Sequence, residues 1–256
     1  MEENLEITAS IVLYKENLEE LTKTIGCFLN VPLKKRLYLI DNTENRIFEN
    51  KFNDSTIKYI AVGKNIGFGA GHNMVIDLIN LKSQFHLILN PDVTFKPKVL
   101  TNLIAELNKN QSISMIAPKV LFPDSEHQYS CRRYPLVSEL LARRFIFLKP
   151  FFKKTIYKGQ YKDQDLNQPF FAEYIAGCFQ LYRTQDFVKL QGFDERYFLY
   201  MEDVDICKKI DQQNKLKLYY PKEEITHVLK QGSSKDLKLF LRHTSSAIKY
   251  FLKWGF

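Results

Sequence analysis

Strand and helix patterns alternate through the first part of the chain. Residues 7–14 and 37–40 are apolar runs, which are typical of buried strands. Between them a helical pattern begins after Asn17, a predicted N-cap with Glu20 three residues on, as in a capping box. Residues 57–62 form a third strand pattern. This order is typical of βαβ units and predicts an α/β fold with a mostly parallel central sheet flanked by helices.

Polar side chains stand where the predicted strands end. Tyr14 closes the first strand and Asp41 the second, and a fourth strand, 85–89, runs into Asn90 and Asp92. Ligands of open α/β sheets bind beyond the carboxyl ends of the strands. Asp92 suits a hard cation such as Mg²⁺ or Mn²⁺ that bridges to diphosphate oxygens, although Asn-Pro-Asp is also common in a simple turn.

A glycine-rich segment, 65–73, opens a helical pattern that runs to about residue 80. Its three glycines at alternate positions let the backbone approach a ligand closely, and a helix N-terminus attracts phosphate. A plain tight turn is the alternative interpretation. The dinucleotide fingerprint GxGxxG needs a further glycine where His72 stands, which disfavours a Rossmann-type dehydrogenase.

Aromatic and acidic side chains crowd together in residues 192–207. Glu202, Asp203 and Asp205 fall where a helical pattern begins. The macrodipole stabilises acids in a first helical turn by about 0.3–1 kcal/mol each, which would explain the cluster without a catalytic role. The alternative is that one of these carboxylates, ringed by aromatic side chains, is a general base.

Two single residues in later strand patterns also suggest function. Gly177 lies within an apolar pattern, 170–182, where a glycine indicates close approach of the backbone to another group. His227 lies in a short strand pattern, 224–228. A lone histidine is usually structural, but one close to a diphosphate site could bind a metal or a phosphate.

The net charge of +8 suggests an acidic partner: nucleic acid, an anionic membrane or a phosphorylated substrate. Two segments that combine basic and apolar residues, 143–154 and 235–254, favour a membrane surface or a lipid-phosphate acceptor. In the second segment four cations fall on one helical face: Lys238, Arg242, Lys249 and Lys253. Such a basic amphipathic helix is typical of membrane-surface elements, and a merely solvated face is the alternative.

The basic residues are spread along the chain without a nucleic-acid-binding motif, which disfavours nucleic acid as a partner.

Other features of the sequence predict a cytoplasmic location. The four cysteines lack C-x-x-C spacing and are typical of free thiols in a reducing compartment. The N-terminal residues show no signal-peptide pattern. No apolar run approaches the ~18 residues that would span a bilayer.

Three motifs, in order, resemble those of family-two inverting glycosyltransferases of the GT-A fold, in particular the rhamnosyltransferase-like branch. That branch carries N-x-G-F-x-x-G-x-N, then L-N-P-D, then G-x-F-D-E-x-F-F-x-Y-x-E-D-x-D. Here the motifs run from Asn65 to Asn73, from Leu89 to Asp92, and from Gly192 to Asp205. Tyr197 stands where the first of the paired phenylalanines is usual. The resemblance extends over about residues 7–227 and rests on the order and spacing of the motifs, because each alone is weakly specific.

The resemblance implies a GT-A domain, Rossmann-like in its nucleotide-binding part, over residues 1–230. Residues 231–256 would be a basic amphipathic helix packed on or beside it. The implied reaction moves a sugar, rhamnose being one candidate, from a nucleotide-diphospho-sugar to a saccharide or polyprenyl-diphosphate-linked acceptor with inversion. The implied setting is cell-surface polysaccharide synthesis on the inner face of the plasma membrane. The sequence does not identify the sugar, the nucleotide or the acceptor. It also does not give the oligomeric state.

The resemblance also implies roles for individual residues. Asp203 matches the base, with Glu202 beside it as a second catalytic carboxylate. The residues expected at the donor are Tyr14, Asp41, Asn65, Gly67, Asn73 and Asn90. The residues expected on the acceptor side are Gly177, Asp194 and Glu195. Asp92 and His227 are expected to hold Mg²⁺ or Mn²⁺, although Asn90 replaces the first aspartate of the D-x-D pattern and one expected ligand is therefore absent.

A catalytically silent relative that scaffolds a synthesis complex is the alternative function. The intact carboxylates Asp92, Glu202 and Asp203 argue against it. Donor hydrolysis would separate the two, because only an active enzyme hydrolyses the donor.

Overall fold

The computed structural model describes residues 4–144, 150–229 and 237–255. The elements of the first half are β1 (Leu5–Leu13), α1 (Leu18–Leu29), β2 (Lys35–Asp41), β3 (Ile57–Ala61), α2 (Phe68–Asn73), α3 (Ile76–Ile79), β4 (Ser83–Leu89), β5 (Val93–Thr94), α4 (Lys98–Lys109) and β6 (Ile113–Leu121). Those of the second half are β7 (Cys131–Arg132), α5 (Val137–Arg144), α6 (Lys153–Gly159), β8 (Phe170–Phe171), β9 (Tyr174–Ile175), β10 (Phe179–Arg183), α7 (Thr184–Lys189), α8 (Glu202–Gln212), β11 (Leu216–His227) and α9 (Leu237–Trp254).

The predicted α/β fold with a mostly parallel sheet is confirmed. The main sheet has the strand order β3-β2-β1-β4-β10-β6-β11-β5, with β8 paired to β11. β3, β2, β1 and β4 pair in parallel, as do β6 and β11. β10 runs antiparallel between β4 and β6. Because β1, β2 and β4 point the same way, their carboxyl ends share one edge of the sheet, where a ligand is expected.

Helices cover both faces of this sheet. One core contains Leu21 and Phe28 of α1 and Leu103 of α4, packed on the sheet. The opposite core contains Val75, next to α3, and Ile206 of α8. The helix α1 begins as its sequence predicts, because the side chain of Asn17 accepts a hydrogen bond from the backbone N–H of Glu20 at 3.0 Å.

Two of the predicted strand patterns are divided differently in the structure. The 170–182 pattern is three short strands with different partners: β8 pairs with β11, β9 with β7, and β10 with β4 and β6. Between β9 and β10, the backbone N–H of Gly177 bonds the side chain of Asp203. The patterns at 216–220 and 224–228 are one strand, β11, with a register shift between Tyr220 and Glu224. A bulge of this kind bends a strand without ending it.

The C-terminal helix α9 packs on the part of the chain that holds the acidic motif. Tyr250 and Phe251 of α9 are buried in a small core with Tyr197, Met201 and Val204. Residues 145–149 and 235–236 of the two predicted basic segments lie outside the described residues. In the part of the chain that the structure describes, no helix is both long and apolar enough to cross a bilayer.

Candidate active site

The glycine-rich and acidic motifs, which are far apart in sequence, are packed directly on each other. Gly67 has φ of +96°, and a Cβ there would lie 2.2 Å from the carbonyl oxygen of Phe198. That carbonyl accepts the N–H of Phe68 at 3.1 Å. The side chain of Asn65 accepts the N–H of Gly67 at 3.0 Å, and Asn42 donates to the Gly67 carbonyl at 3.0 Å. A residue other than glycine at 67 would push the two motifs apart.

Asn73 holds the beginning of the acidic motif. Its amide donates to the carbonyl of Phe193 and accepts the N–H of the same residue, both at 2.9 Å. It also donates to the carboxylate of Glu195 at 3.0 Å. A Cβ on Gly192, where φ is +58°, would lie 2.2 Å from the Asn73 Oδ1 atom. Asn73 was expected at the donor; its amide is occupied by this loop, and a direct donor contact stays a prediction.

Asp203, the predicted base, lies in the first turn of α8 with two defined backbone donors. Its Oδ2 atom accepts the N–H of Gly177 at 3.2 Å, and its Oδ1 atom accepts the N–H of Val204 at 2.9 Å. The preceding residues, Tyr200 and Met201, both have φ of 69°. Left-handed backbone at non-glycine residues is strained and clusters at functional sites. The strained turn and the Gly177 bond therefore fix where this carboxylate points.

The two adjacent carboxyl groups of α8 have different environments. Glu202 is buried, and its Oε2 atom lacks a hydrogen-bond partner. Burial, together with the neighbouring Asp203, raises the pKa of Glu202 to about 8. Burial also raises the pKa of Asp203, but its backbone donors oppose this by stabilising the ionised form. At neutral pH Glu202 is therefore mainly protonated, and Asp203 is the better candidate for a proton acceptor.

Asp205 is an anchor that the sequence analysis did not recognise as one. It is fully buried and accepts hydrogen bonds from Lys253 Nζ at 2.8 Å, Trp254 Nε1 at 2.7 Å and the Tyr197 hydroxyl at 3.0 Å. Two of these donors belong to the last turn of α9. Asp205 thus ties the C-terminal helix to the helix that carries Asp203.

Three cations of the basic face of α9 also contact the protein, but Arg242 and Lys249 remain exposed, and contact of this face with a membrane stays a prediction. Lys253 bonds Asp194 at 2.9 Å as well as Asp205. Lys249 donates to the Arg196 carbonyl at 2.7 Å, and the Arg242 guanidinium lies 3.9 Å from the centre of the Phe198 ring. Of these three cations, Lys253 is the one that bonds carboxylates of the acidic motif. The exposed side of α9 also carries a row of apolar side chains beside these cations: Leu237, Leu241, Ile248 and Leu252.

Asp194 and Glu195, expected on the acceptor side, both take part in holding the loop. Arg196 binds the Asp194 carboxylate through two nitrogens, at 2.9 and 2.6 Å, and with Lys253 it lowers the pKa of Asp194 despite partial burial. Glu195 accepts from Asn73. Their role toward an acceptor stays a prediction.

Asp92, Asn90 and His227, predicted near a metal, are brought together by the pairing of β5 with β11. The Nε2 atom of His227 lies 3.3 Å from Asp92 Oδ1 and 3.3 Å from Asn90 Nδ2. Burial lowers the pKa of His227, but Cys178 and Asp92 beside the ring outweigh it and raise the pKa to about 10. A neighbouring carboxylate that attracts a proton so strongly also attracts a metal cation.

The residues at this place provide only part of what a Mg²⁺ or Mn²⁺ site requires. One carboxylate oxygen and one imidazole nitrogen suit Mn²⁺, and a metal in such a site takes its other ligands from substrate phosphates and water. Within residues 4–144, 150–229 and 237–255, no group of three or more His, Cys, Asp or Glu side chains is arranged to hold an ion. Asn90, where an aspartate was expected, is consistent with that shortage. The residues present fit an ion that is held jointly with a diphosphate.

A single turn of backbone links the base to this metal-side cluster. The N–H of Gly177 bonds Asp203, and the carbonyl of the next residue, Cys178, accepts the N–H of Asn90 at 2.9 Å. A Cβ on Gly177 would lie 3.2 Å from the Phe68 ring, so the turn passes close under the glycine-rich helix α2. The two clusters are therefore neighbours at the same edge of the sheet.

Two residues expected at the donor lie at the ends of β1 and β2. Tyr14 directly follows β1 and is 44% exposed. Asp41 is fully buried and accepts hydrogen bonds from Thr43 N at 2.8 Å, Thr43 Oγ1 at 2.6 Å and the Tyr59 hydroxyl at 2.6 Å. Asp41 shapes the loop after β2 through these bonds. A contact of either residue with a nucleoside stays a prediction.

His72, which occupies the place of the fingerprint glycine, belongs to a buried polar chain. Its Nδ1 atom lies 2.7 Å from Ser10 Oγ, which lies 3.0 Å from His86 Nε2. His86 Nδ1 in turn lies 2.9 Å from Thr8 Oγ1. Burial lowers the pKa of both histidines, that of His86 to about 3, so both rings are neutral. The chain anchors α2 to β1 and β4.

Comparison with solved structures identifies the class of fold. The chain is similar to GalNAc-T7 crystallised with UDP, GalNAc and Mn²⁺, with a TM-score of 0.65 and 15% identity over 89% of this chain and 44% of that one. It is also similar to the mannosyltransferase PcManGT from Pyrobaculum calidifontis in complex with GDP-Man and Mn²⁺, with a TM-score of 0.63 and 13% identity over 98% and 64% of the two chains. The fold is that of GT-A glycosyltransferases.

Comparison with curated proteins narrows the resemblance. The chain is 28% identical to the rhamnosyltransferase WbbL of Escherichia coli K12 in an alignment of 198 positions that covers 73% of this chain and 71% of that protein. It is 25% identical to the N-acetylglucosaminyl-diphospho-decaprenol L-rhamnosyltransferase of Mycobacterium tuberculosis H37Rv in an alignment of 192 positions that covers 70% of this chain and 61% of that protein. No protein-family model matches the chain. The resemblance to rhamnosyltransferases that the three motifs indicated is thereby confirmed.

Proposed function

We propose that this protein is an inverting glycosyltransferase of family two. It transfers a sugar, with rhamnose as the first candidate, from a nucleotide-diphospho-sugar to the hydroxyl of a saccharide or lipid-linked acceptor. The observation that supports this most directly is the backbone turn at Gly177 and Cys178, which bonds Asp203 on one side and Asn90 on the other. The candidate base and the candidate diphosphate site are thus neighbours.

The proposed chemistry is a single displacement at the anomeric carbon. Asp203 accepts the proton of the acceptor hydroxyl as that oxygen attacks the anomeric carbon. The new carbon–oxygen bond forms while the bond to the diphosphate breaks, and the bonding electrons leave with the nucleoside diphosphate. Because attack and departure occur on opposite faces of the sugar, the configuration inverts. A general base of this kind contributes about 10²–10⁴-fold to the rate.

Asp92 and His227 would hold a divalent ion on the donor diphosphate. Such an ion supplies Lewis-acid stabilisation of the charge that develops on the leaving group. The two solved structures to which the fold is similar were crystallised with Mn²⁺. This makes Mn²⁺ the first ion to test, with Mg²⁺ second.

The proposed acceptor and setting are drawn from the curated relatives. One of them is named for transfer to N-acetylglucosaminyl-diphospho-decaprenol, so a polyprenyl-diphosphate-linked saccharide is the first acceptor to test. Synthesis of a cell-surface polysaccharide on the cytoplasmic face of the plasma membrane is the setting that accords with such an acceptor.

Contact with that membrane would involve the apolar side of α9. Leu241 and Leu252 on this side are 58% and 74% exposed, and apolar side chains of amphipathic helices enter the interface between headgroups and acyl chains. Flotation with liposomes tests this with a Leu241→Gln/Leu252→Gln variant. Flotation equal to that of the unchanged protein would remove this helix from the proposal.

A direct test combines donor screening with one matched pair of variants. A thermal-shift screen of dTDP-, UDP- and GDP-sugars, with and without Mn²⁺, identifies the donor, because a ligand that binds only the native state raises apparent stability. Asp203→Asn should then bind that donor and lose about 10²–10⁴-fold in turnover. Asp54→Asn, at an exposed loop position, is the control and should keep full turnover.

Two results would count against the proposal. Turnover of Asp203→Asn within threefold of the unchanged protein would move the base to another residue. Donor binding without any transfer or hydrolysis in the unchanged protein would favour the silent scaffold.

A further inference from the structure

Gln128 is the residue on the far side of the His227 ring from Asp92. Its Oε1 atom lies 3.0 Å from His227 Nδ1. Its Nε2 atom donates to the carbonyl of His227 and, at 3.3 Å, to the carbonyl of Leu121. The backbone N–H of Gln128 bonds the carbonyl of Val120 at 2.9 Å, which ties this residue to the end of β6. The side chain is half-buried and every polar atom of its amide is engaged.

These contacts determine which way the amide of Gln128 faces. An amide nitrogen only donates hydrogen bonds, and an amide oxygen only accepts them. Because the nitrogen faces two carbonyl oxygens, the amide oxygen must be the atom that faces His227. His227 Nδ1 must therefore carry a proton and donate it to Gln128. In a neutral imidazole the other nitrogen, Nε2, then keeps its lone pair.

That lone pair faces the candidate metal site. Nε2 lies 3.3 Å from Asp92 Oδ1, and both atoms are acceptors when the ring is neutral. A cation has to lie between two such acceptors: a proton in the metal-free protein, where Asp92 helps to raise the pKa of His227 to about 10, and a metal ion in place of that proton when one binds. Asn90 Nδ2, also 3.3 Å from Nε2, is a donor at the same position. A ring presented in this way, with its far N–H bonded to an outer acceptor, is the arrangement that orients histidine ligands of metals.

We infer that Gln128 is a positioning residue that assigns Nε2 of His227 to the metal. It does so by accepting the Nδ1 proton and by holding the backbone of His227 through its own amide N–H. The inference rests on the proposed function, since that function is what calls for a metal on the donor diphosphate. Nothing in the sequence motifs marks Gln128, which lies 99 residues from His227 in the chain.

A purely structural role for Gln128 makes a different prediction. The residue also fastens the 121–128 turn to β11, and loss of that fastening would lower stability without a specific effect on metal. Gln128→Leu removes both the acceptor and the donors. Gln128→Glu keeps an oxygen for the Nδ1 proton but loses the donors to the two carbonyls. If Gln128 positions His227, Gln128→Glu should keep most of the metal affinity that Gln128→Leu loses. Both variants should lose stability, because both lack the donors to the two carbonyls.

The experiment measures Mn²⁺ itself in the presence of a nucleoside diphosphate. Titration followed by the EPR signal of free Mn²⁺ should show affinity about 10–100-fold weaker in Gln128→Leu, with Gln128→Glu closer to the unchanged protein. Pulsed EPR should detect the coupling of one imidazole ¹⁴N to Mn²⁺ in the unchanged protein. That coupling should disappear in His227→Ala and weaken in Gln128→Leu. Thermal melts of each variant report stability separately.

A double-mutant cycle supplies the decisive comparison. If Gln128 acts through His227, then Gln128→Leu should leave Mn²⁺ affinity unchanged in a His227→Ala background. Equal Mn²⁺ affinity and equal ¹⁴N coupling in the unchanged protein and Gln128→Leu would overturn the inference while leaving the metal role intact. A metal-affinity loss of the same size in the His227→Ala background would also overturn it. Absence of diphosphate-dependent Mn²⁺ binding in the unchanged protein would instead refute the metal part of the proposed function, and the inference with it.

Discussion

The contact between Asp205 and the end of α9 supports a quantitative prediction. Asp205 is fully buried, and the Lys253 side chain that neutralises it is 23% exposed. Removing one partner of a buried ion pair typically costs 3–5 kcal/mol, because the other charge is left without its partner in the protein interior. In Lys253→Met, Trp254 and Tyr197 still donate to Asp205. We therefore expect the lower end of the range, about 3 kcal/mol.

This loss should be visible in thermal unfolding. For a chain of this size about 1 kcal/mol corresponds to roughly 2–4 °C, so the midpoint of Lys253→Met should fall by roughly 6–12 °C. Far-UV circular dichroism follows the transition, and urea unfolding gives the free energy independently. Hydrogen exchange should increase in residues 192–205 and 237–255 together, because both segments depend on the same contact.

The matched control is Lys23→Met. Lys23 pairs with Glu19 on the outer face of α1 at 2.6 Å, with side chains 60% and 76% exposed. An ion pair of this kind in water contributes little, so the control should melt with the unchanged protein. If Lys253→Met and Lys23→Met melt at the same temperature, Asp205 does not anchor α9, and the view that this helix braces α8 is refuted.

Three further predictions test other parts of the site. Asp92→Ala should weaken nucleoside-diphosphate binding when Mn²⁺ is present and leave it unchanged without metal; calorimetry that shows equal losses in both conditions would remove Asp92 from the metal. The pKa of Glu202 is about 8 in the folded protein and 4.5 as the reference, so the folded protein keeps a proton that the unfolded chain releases, and the contribution of Glu202 to stability is lost as pH rises from about 4.5 to about 8. Over that pH window the melting temperature of Glu202→Gln should decline less than that of the unchanged protein, and equal declines would contradict the raised pKa. Gly67→Ala should destabilise the protein by more than about 1 kcal/mol, whereas Gly63→Ala, where φ is also positive but nothing lies within 4 Å of the new Cβ, should cost less; equal losses would show that strain alone acts and that the Phe198 carbonyl does not.

The sequence by itself determined the parts of this protein that depend on local patterns. Apolar runs and the cap at Asn17 predicted the βαβ order, because the periodicity of strands and helices depends on residues that are close in the sequence. The spacing of three motifs indicated the resemblance to rhamnosyltransferases. Asp203 and Asp92 followed from that resemblance, and the structure puts them in neighbouring clusters at one edge of the sheet.

Only the tertiary structure decided which polar groups are committed to each other. Helical periodicity placed the cations of α9 on one face but could not say what that face meets. Asp194 and Asp205 lie at its C-terminal end, so Lys253 binds carboxylates of the protein, whereas Arg242 and Lys249 stay exposed. The physical reason is that a lysine pairs with a carboxylate only where packing brings the two together, and the position of Asp205 depends on the packing of α8, which the sequence of α9 does not contain.

The same limit explains why the sequence did not predict the contacts of Asn73 and Gln128 or the raised pKa of Glu202. Asn73 reaches Phe193 across 120 positions, and Gln128 reaches His227 across 99. The pKa of Glu202 depends on how completely the surrounding core excludes water. Motif spacing can indicate that acids, amides and a histidine share a site, but hydrogen-bond partners and burial arise only when distant segments of the chain are folded against one another.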